Sequence, residues 1–134
     1  MALLRSEKLP VESQDDVVQV RQAVRAWAVE LGFSLVEQTK VVTAASELAR
    51  NAFVHGGGGS VELESIETAG RRGLRLTFVD HGPGIVDIEQ AMKDGYTTGG
   101  GLGLGLGGAK RLSSDFEIRS QPGAGTWVRI VRWK

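Results

Sequence analysis

The sequence predicts an α/β fold, a two-layer α/β sandwich with helices on one face of a mixed, mostly antiparallel sheet. Three observations predict it. Amphipathic helical patterns fill residues 13–31 and 34–54, alternating polar and apolar runs at 60–66 and 73–79 flank a turn, and two more strand patterns end the chain at 116–120 and 126–133. Strands that alternate bury one face only, and two long helices with one apolar stripe each form the layer that covers it.

Residues 4–9 read as a short strand ending near Pro10. Ser13 or Asp15 caps the helix that follows, where Val17, Val20, Val24, Trp27, Ala28 and Leu31 recur at helical spacing and Gly32 supplies the stop. The second helix starts near Ser34 and runs to about Val54. Its Val41, Ala45, Leu48 and Ala52 keep one stripe apolar, while Thr43, Glu47, Arg50, Asn51 and Val54 fall on a neighbouring face. Gly56 to Gly59 read as a flexible connector. The hairpin that follows turns at 69–72 and delivers Asp80 to the end of a strand. A short helix is expected over 85–94, then the glycine run from Gly99 to Gly108, then a helix from about Gly103 to Leu112. The last two strands join through Gln121-Pro122-Gly123-Ala124-Gly125, a turn by composition.

At 134 residues, 41% hydrophobic and 24% charged, the chain reads as one globular domain, residues 1–134, with a core large enough to stand alone. Sixteen basic and sixteen acidic residues balance, which argues against the broad positive field of a nucleic-acid binder. The absence of cysteine excludes disulfides, thiol catalysis and cysteine-based zinc sites. No stretch approaches the ~20 apolar residues that span a bilayer, and the N-terminus lacks the apolar run of a signal peptide. The expectation is a cytoplasmic protein with no membrane or nucleic-acid partner.

Three short stretches carry the chemistry. Glu47-Leu48-Ala49-Arg50-Asn51 sets a carboxylate and an amide one helical turn apart, which suits a base beside a magnesium ligand, since magnesium takes oxygen ligands and keeps several waters. Asp80-His81-Gly82-Pro83-Gly84 is a carboxylate followed by a tight turn whose glycines allow close backbone approach to a flat ring. Asp80 is suited to accept a hydrogen bond from the exocyclic amine of adenine, a group guanine replaces with oxygen. The run from Gly99 to Gly108 presents backbone N–H groups with few side chains in the way and leads into a helical pattern, a cradle for phosphates, and Thr97 and Thr98 just before it add hydroxyls. Each stretch also has a plainer reading, as a solvated helix face, a turn-former or a loop.

Better-known phosphate loops do not fit. No G-x-x-x-x-G-K-[ST] occurs, and the G-x-G-x-x-G at 103–108 does not follow a strand pattern, so neither a P-loop nor a dinucleotide fingerprint is present. His55 and His81 lack the spaced partners of a metal site and read as structural or surface residues.

Taken in order, these stretches resemble the N, G1 and G2 boxes of the gyrase, Hsp90, histidine kinase and MutL (GHKL) ATPase superfamily, over nearly the whole chain. Ser46-Glu47-Leu48-Ala49-Arg50-Asn51, Asp94-Gly95-Tyr96-Thr97-Thr98-Gly99-Gly100 and Gly108-Ala109-Lys110-Arg111-Leu112 look most like the RsbT-type switch kinases of bacterial stress signalling, relatives of the anti-sigma factor kinases. The resemblance implies a Bergerat-type ATP-binding fold with ATP and Mg2+ as cofactors. It implies Glu47 as catalytic base, Asn51 as magnesium ligand, Asp80 as the adenine-binding acid, Gly82 and Gly84 as the floor of the adenine pocket, and Thr126 as a hydroxyl supporting the adenine. Gly101, Leu102, Gly103, Leu104 and Gly105 would hold the phosphates, with Thr98 and Gly99 at the entrance to that loop. The segment 85–101 is expected to order over bound nucleotide.

The same resemblance implies an activity. The expected enzyme is an ATP-dependent serine/threonine kinase that phosphorylates a STAS-domain antagonist held with scaffold STAS proteins, then exchanges partners to activate a PP2C-type phosphatase. The alternative is an anti-sigma factor that sequesters a sigma subunit and phosphorylates an anti-anti-sigma factor. Gyrase-like, Hsp90-like and MutL-like ATPases need a transducer domain, and a histidine kinase needs a phosphoacceptor histidine on a dimerising helix pair; neither is legible in these residues.

Overall fold

Residues 1–93 and 105–134 are described by the computed structural model. The first strand, β1 (Ala2–Val11), is longer than 4–9 and includes Pro10. It lies at the edge of the sheet, where one row of backbone groups faces away from any neighbour and a missing N–H is tolerated.

Helix α1 (Gln14–Glu30) begins at Ser13, whose hydroxyl accepts from Asp16 N at 3.1 Å. Val17, Val20, Val24, Trp27 and Ala28 face the core as the spacing predicts, and Gly32, at φ 81°, reverses the chain. Helix α2 (Leu35–Val54) opens on a capping box. Ser34 Oγ accepts from Glu37 N at 3.1 Å, and Glu37 Oε1 accepts from Ser34 N at 3.0 Å. That backbone N–H holds the Glu37 carboxyl below its usual range. Val41, Ala45, Leu48 and Ala52 are buried, which fixes the rotation of α2 and aims its neighbouring face past the edge of the core.

Strands β2 (Gly59–Thr68) and β3 (Arg71–Asp80) pair through a turn narrower than expected, made by Ala69 at φ 51° and Gly70 at φ 80°. Two central residues at positive φ form the mirror-image turn whose twist matches paired strands. Helix α3 (Ile88–Ala91) is a single turn instead of the helix expected over 85–94. Gly84 takes φ 76° and Asp87 caps the turn by accepting from Gln90 N at 3.1 Å, so helix cannot begin before residue 88. Helix α4 (Gly105–Arg111) covers the described part of the helix expected near 103–112. Strands β4 (Asp115–Ser120) and β5 (Thr126–Trp133) close the chain as the sequence predicts.

The sheet runs β1-β2-β3-β5-β4, and all neighbouring strands are antiparallel. The mixed character expected from sequence is therefore absent among the described residues. The helical crossover does bring β4 back parallel to β3, but β5 inserts between them and pairs antiparallel with both. Leu63, Leu74, Leu76, Phe78, Val128 and Ile130 meet α1 and α2 on one face. The other face carries polar ladders, among them Arg75 Nε to Glu64 Oε1 at 2.9 Å and Trp127 flanked by Arg119 and Arg129. No described helix is long and apolar enough to cross a membrane.

Ala69 is the described non-glycine residue at positive φ, a conformation that costs an L-residue about 1–2 kcal/mol. Ala69→Asn, which creates the preferred Asn-Gly pair, should raise stability by roughly 0.5–1 kcal/mol. Urea denaturation checks this; an unchanged or lowered midpoint would show that the turn carries no strain.

Candidate functional site

A cavity of about 440 Å³ opens where the flank of α2, the ends of β3 and β5, and the segment from Pro83 to Ala91 meet. Glu47, Arg50, Asn51 and Val54 line one wall from α2, the face that the helical pattern set beside the apolar stripe. Thr43 belongs to that face by spacing and lies outside the cavity lining.

Glu47 is buried, and its Oε2 accepts from Gly105 N at 3.1 Å. The first N–H groups of a helix have no partner within it, so the start of α4 suits a carboxylate. Asn51 sits one turn further on. Its backbone oxygen accepts from His55 N and Gly56 N, which ends α2, while its side-chain amide is engaged by no described residue. His55, expected to be structural or at the surface, lines the cavity as well; His81 does not.

Asp80 forms the opposite wall and is only 6% exposed. Its Oδ1 accepts from Gly82 N at 3.0 Å and Thr126 N at 3.2 Å, which leaves Oδ2 uncommitted among the described residues. A carboxylate held by backbone N–H groups can stay buried without a cationic partner. Gly56 packs directly against it: a Cβ there would fall 2.6 Å from Oδ2. The glycines at 56–59 are therefore no simple connector. Gly56 shapes the wall beside Asp80, and Gly59 begins β2 against the backbone of Val79.

Of the two glycines expected to floor an adenine pocket, Gly84 lines the cavity and Gly82 does not. Gly82 stands behind Asp80, where a Cβ would meet Gly56 Cα at 2.6 Å. The segment carrying Gly84 is fastened to the β4–β5 turn. Gly123 N donates to Pro83 O at 2.7 Å and Ile85 N donates to Ser120 Oγ at 2.8 Å. Thr126 is buried opposite Asp80 in the β3–β5 register, and its hydroxyl lies 2.9 Å from Ser120 Oγ.

Gly105 lines the cavity at the start of α4. Thr98, Gly99, Gly101, Leu102, Gly103 and Leu104 lie outside the described residues, as does the part of the expected closing segment from residue 94 onward. The structure thus brings Glu47, Asn51, Asp80, Gly84, Gly105 and Thr126 to one cavity. Sequence reasoning missed Gly56, whose signal was its position directly after the helix carrying Glu47 and Asn51, and Ser120, which resembles any polar residue at a strand end.

Among the described residues no cluster of three or more His, Asp or Glu side chains is built to hold a metal. A divalent cation is compatible with the cavity through the Asn51 amide oxygen, with a nucleotide's phosphates and water supplying the other ligands.

Residues 11–132 match the family described as a histidine kinase-like ATPase domain. The chain is 45% identical over 118 residues to serine/threonine-protein kinase RsbT of Bacillus subtilis (strain 168), covering 88% of this chain and 89% of that protein. Among solved structures it is similar to the RsbU and RsbW domains of a Mycobacterium tuberculosis protein, with a TM-score of 0.64 and 21% identity, over 98% of this chain and 33% of that one. It also matches the SiaB–SiaC complex from Pseudomonas aeruginosa, with a TM-score of 0.49 and 14% identity over 98% of this chain and 91% of that one.

Gly56 gives the sharpest local test. Gly56→Ala should destabilise the protein by roughly 1–3 kcal/mol or shift Asp80 and weaken nucleotide binding at least about tenfold, because the added methyl overlaps the Asp80 carboxylate. Denaturation and ATP titration together read both outcomes; wild-type stability with wild-type affinity would show that the close approach is immaterial.

Proposed function

The chain belongs to the histidine kinase-like ATPase family, and on that premise we propose how its cavity carries out phosphoryl transfer and which partners it serves. It is an ATP-dependent serine/threonine-protein kinase of the RsbT type. The observation that carries the site reading is the convergence of Glu47 and Asn51, one turn apart on α2, on the cavity that Asp80 closes from the opposite side. Residues 1–134 act as one ATP-binding unit in this reading.

Asp80 holds the adenine end. Its Oδ2 accepts from the exocyclic amine, while the backbone bonds to Oδ1 fix the orientation of the carboxylate. Gly84 lets the chain pass close to the base, and Thr126 supports it through its hydroxyl. The phosphates run toward Gly105 at the start of α4, and Thr98, Gly99 and 101–104, which precede it in the sequence, are the residues we assign to hold them.

Glu47 is the base. The substrate hydroxyl gives its proton to the Glu47 carboxylate as its oxygen attacks the γ-phosphorus; the bond to the β–γ bridging oxygen breaks, and ADP leaves. A magnesium ion bound through Asn51 would neutralise charge on the phosphates. Burial beside the cavity restricts water around Glu47 and strengthens its interaction with the reacting groups.

The substrate is a serine or threonine on a STAS-domain antagonist, held with scaffold STAS proteins. Phosphorylation releases the kinase to activate a PP2C-type phosphatase, all in the cytoplasm. Labelled ATP incubated with candidate STAS proteins from the same source should label one of them, and the freed kinase should co-purify with the phosphatase. Absence of transfer, with a sigma subunit captured instead, would replace this reading with sequestration of a sigma factor.

Glu47→Ala should lower phosphoryl transfer by about 10²-fold or more with nearly unchanged ATP affinity, since a positioned base acts mainly in the transition state. Affinity falling in step with activity would remove Glu47 from that role. Asn51→Ala should abolish most of the enhancement that magnesium gives to nucleotide binding, measured by calorimetry across a magnesium titration. Equal enhancement in both proteins would move the metal elsewhere.

A further inference from the structure

Ser120 takes part in more contacts than a strand-end serine needs. Its Oγ accepts from Ile85 N at 2.8 Å, donates to Gly125 O at 3.0 Å and lies 2.9 Å from Thr126 Oγ1. A hydroxyl has one proton and two lone pairs. The carbonyl of Gly125 only accepts, so the Ser120 proton goes there. The Ile85 N–H occupies one lone pair. The remaining contact therefore has one polarity: Thr126 donates its proton to Ser120.

We propose that Ser120 is a positioning residue that sets base specificity by consuming the Thr126 proton, so that Thr126 presents only lone pairs to the cavity beside Asp80 Oδ2. Asp80 and Thr126 lie opposite each other in the β3–β5 register, and both line the cavity. Two acceptors side by side favour a donor, the exocyclic amine of adenine, reached directly or through a water. They disfavour a carbonyl at the same place, as in hypoxanthine, which would leave acceptors facing each other. The inference rests on the reading of Asp80 as the adenine-binding acid and adds a residue that touches no ligand.

Calorimetric titration of the full chain with ATP and with inosine triphosphate separates the two ideas. The parent should prefer ATP by on the order of 100-fold, as expected where a site is built around one hydrogen-bonding group. Ser120→Ala releases the Thr126 proton, which can then turn to the inosine carbonyl, so the preference should fall about tenfold. Ser120→Thr, which keeps the hydroxyl, should restore it. A parent indifferent to the base overturns the adenine reading itself. A selective parent with an unchanged ratio in Ser120→Ala overturns the role of Ser120, as does a parallel loss of both affinities, which is what a mere brace for Ile85 would give. Should Ser120→Ala fail to fold, Thr126→Val decides: it removes the second acceptor and should lower the same ratio, and an undiminished ratio overturns the inference.

Discussion

A carboxylate almost sealed from water at the end of a central strand is the constraint around which this molecule is arranged. Two backbone N–H groups, from Gly82 and Thr126, point at one oxygen of Asp80 and hold its side chain in place. Those donors come from different parts of the chain: one from the turn just beyond β3, the other from the first residue of β5. Gly56 packs on the Asp80 side chain from the end of α2 and Gly125 on its backbone from the β4–β5 turn, so three segments, the end of α2, the end of β3 and the β4–β5 turn, meet at one residue. Here Asp80 joins those three segments and still offers an oxygen to the cavity.

The second arrangement of consequence is the division of labour on α2. One face is sealed into the core by Val41, Ala45, Leu48 and Ala52, and the adjoining face carries Glu47 and Asn51. Because both cavity-lining side chains stand on a helix whose rotation the core determines, their spacing is rigid without help from a loop. The sheet has helices on one face only, so a cleft remains between α2 and the strand ends. The one-turn helix α3 and the start of α4 wall that cleft.

Much of this was legible in the residues. The capped starts of α1 and α2, their buried stripes, the β2–β3 hairpin and the closing strand pair follow from periodicity and turn chemistry, both local properties of the chain. So does the placement of Glu47 and Asn51 on one helix face and of Asp80 at a strand end, which the fold brings to one cavity. What escaped is non-local. Gly56 looks like a linker until Asp80, 24 positions later, packs on it. Gly82 looks like a pocket floor until Gly56 is behind it. Ser120 gains meaning only when the β4–β5 turn folds back against Ile85. The mixed sheet was a fair inference from a helical crossover, and the insertion of β5 between β3 and β4 is a pairing choice that no window of sequence contains.

The β3–β5 register has a consequence for the fidelity of folding. Pairing Asp80 with Thr126 also pairs Phe78 with Val128 and Leu76 with Ile130, the residues that fill the core. A slip of one position would turn the apolar set of β5 outward while moving Thr126 away from Asp80. A slip of one position thus cannot keep the core and lose only the site, or keep the site and spoil only the core. Quality control that recognises exposed apolar surface therefore also detects, indirectly, a one-position slip that would disassemble the cavity. The Asp80 site itself is completed late, because its hydrogen bond from Thr126 spans 46 residues and must await the last strand.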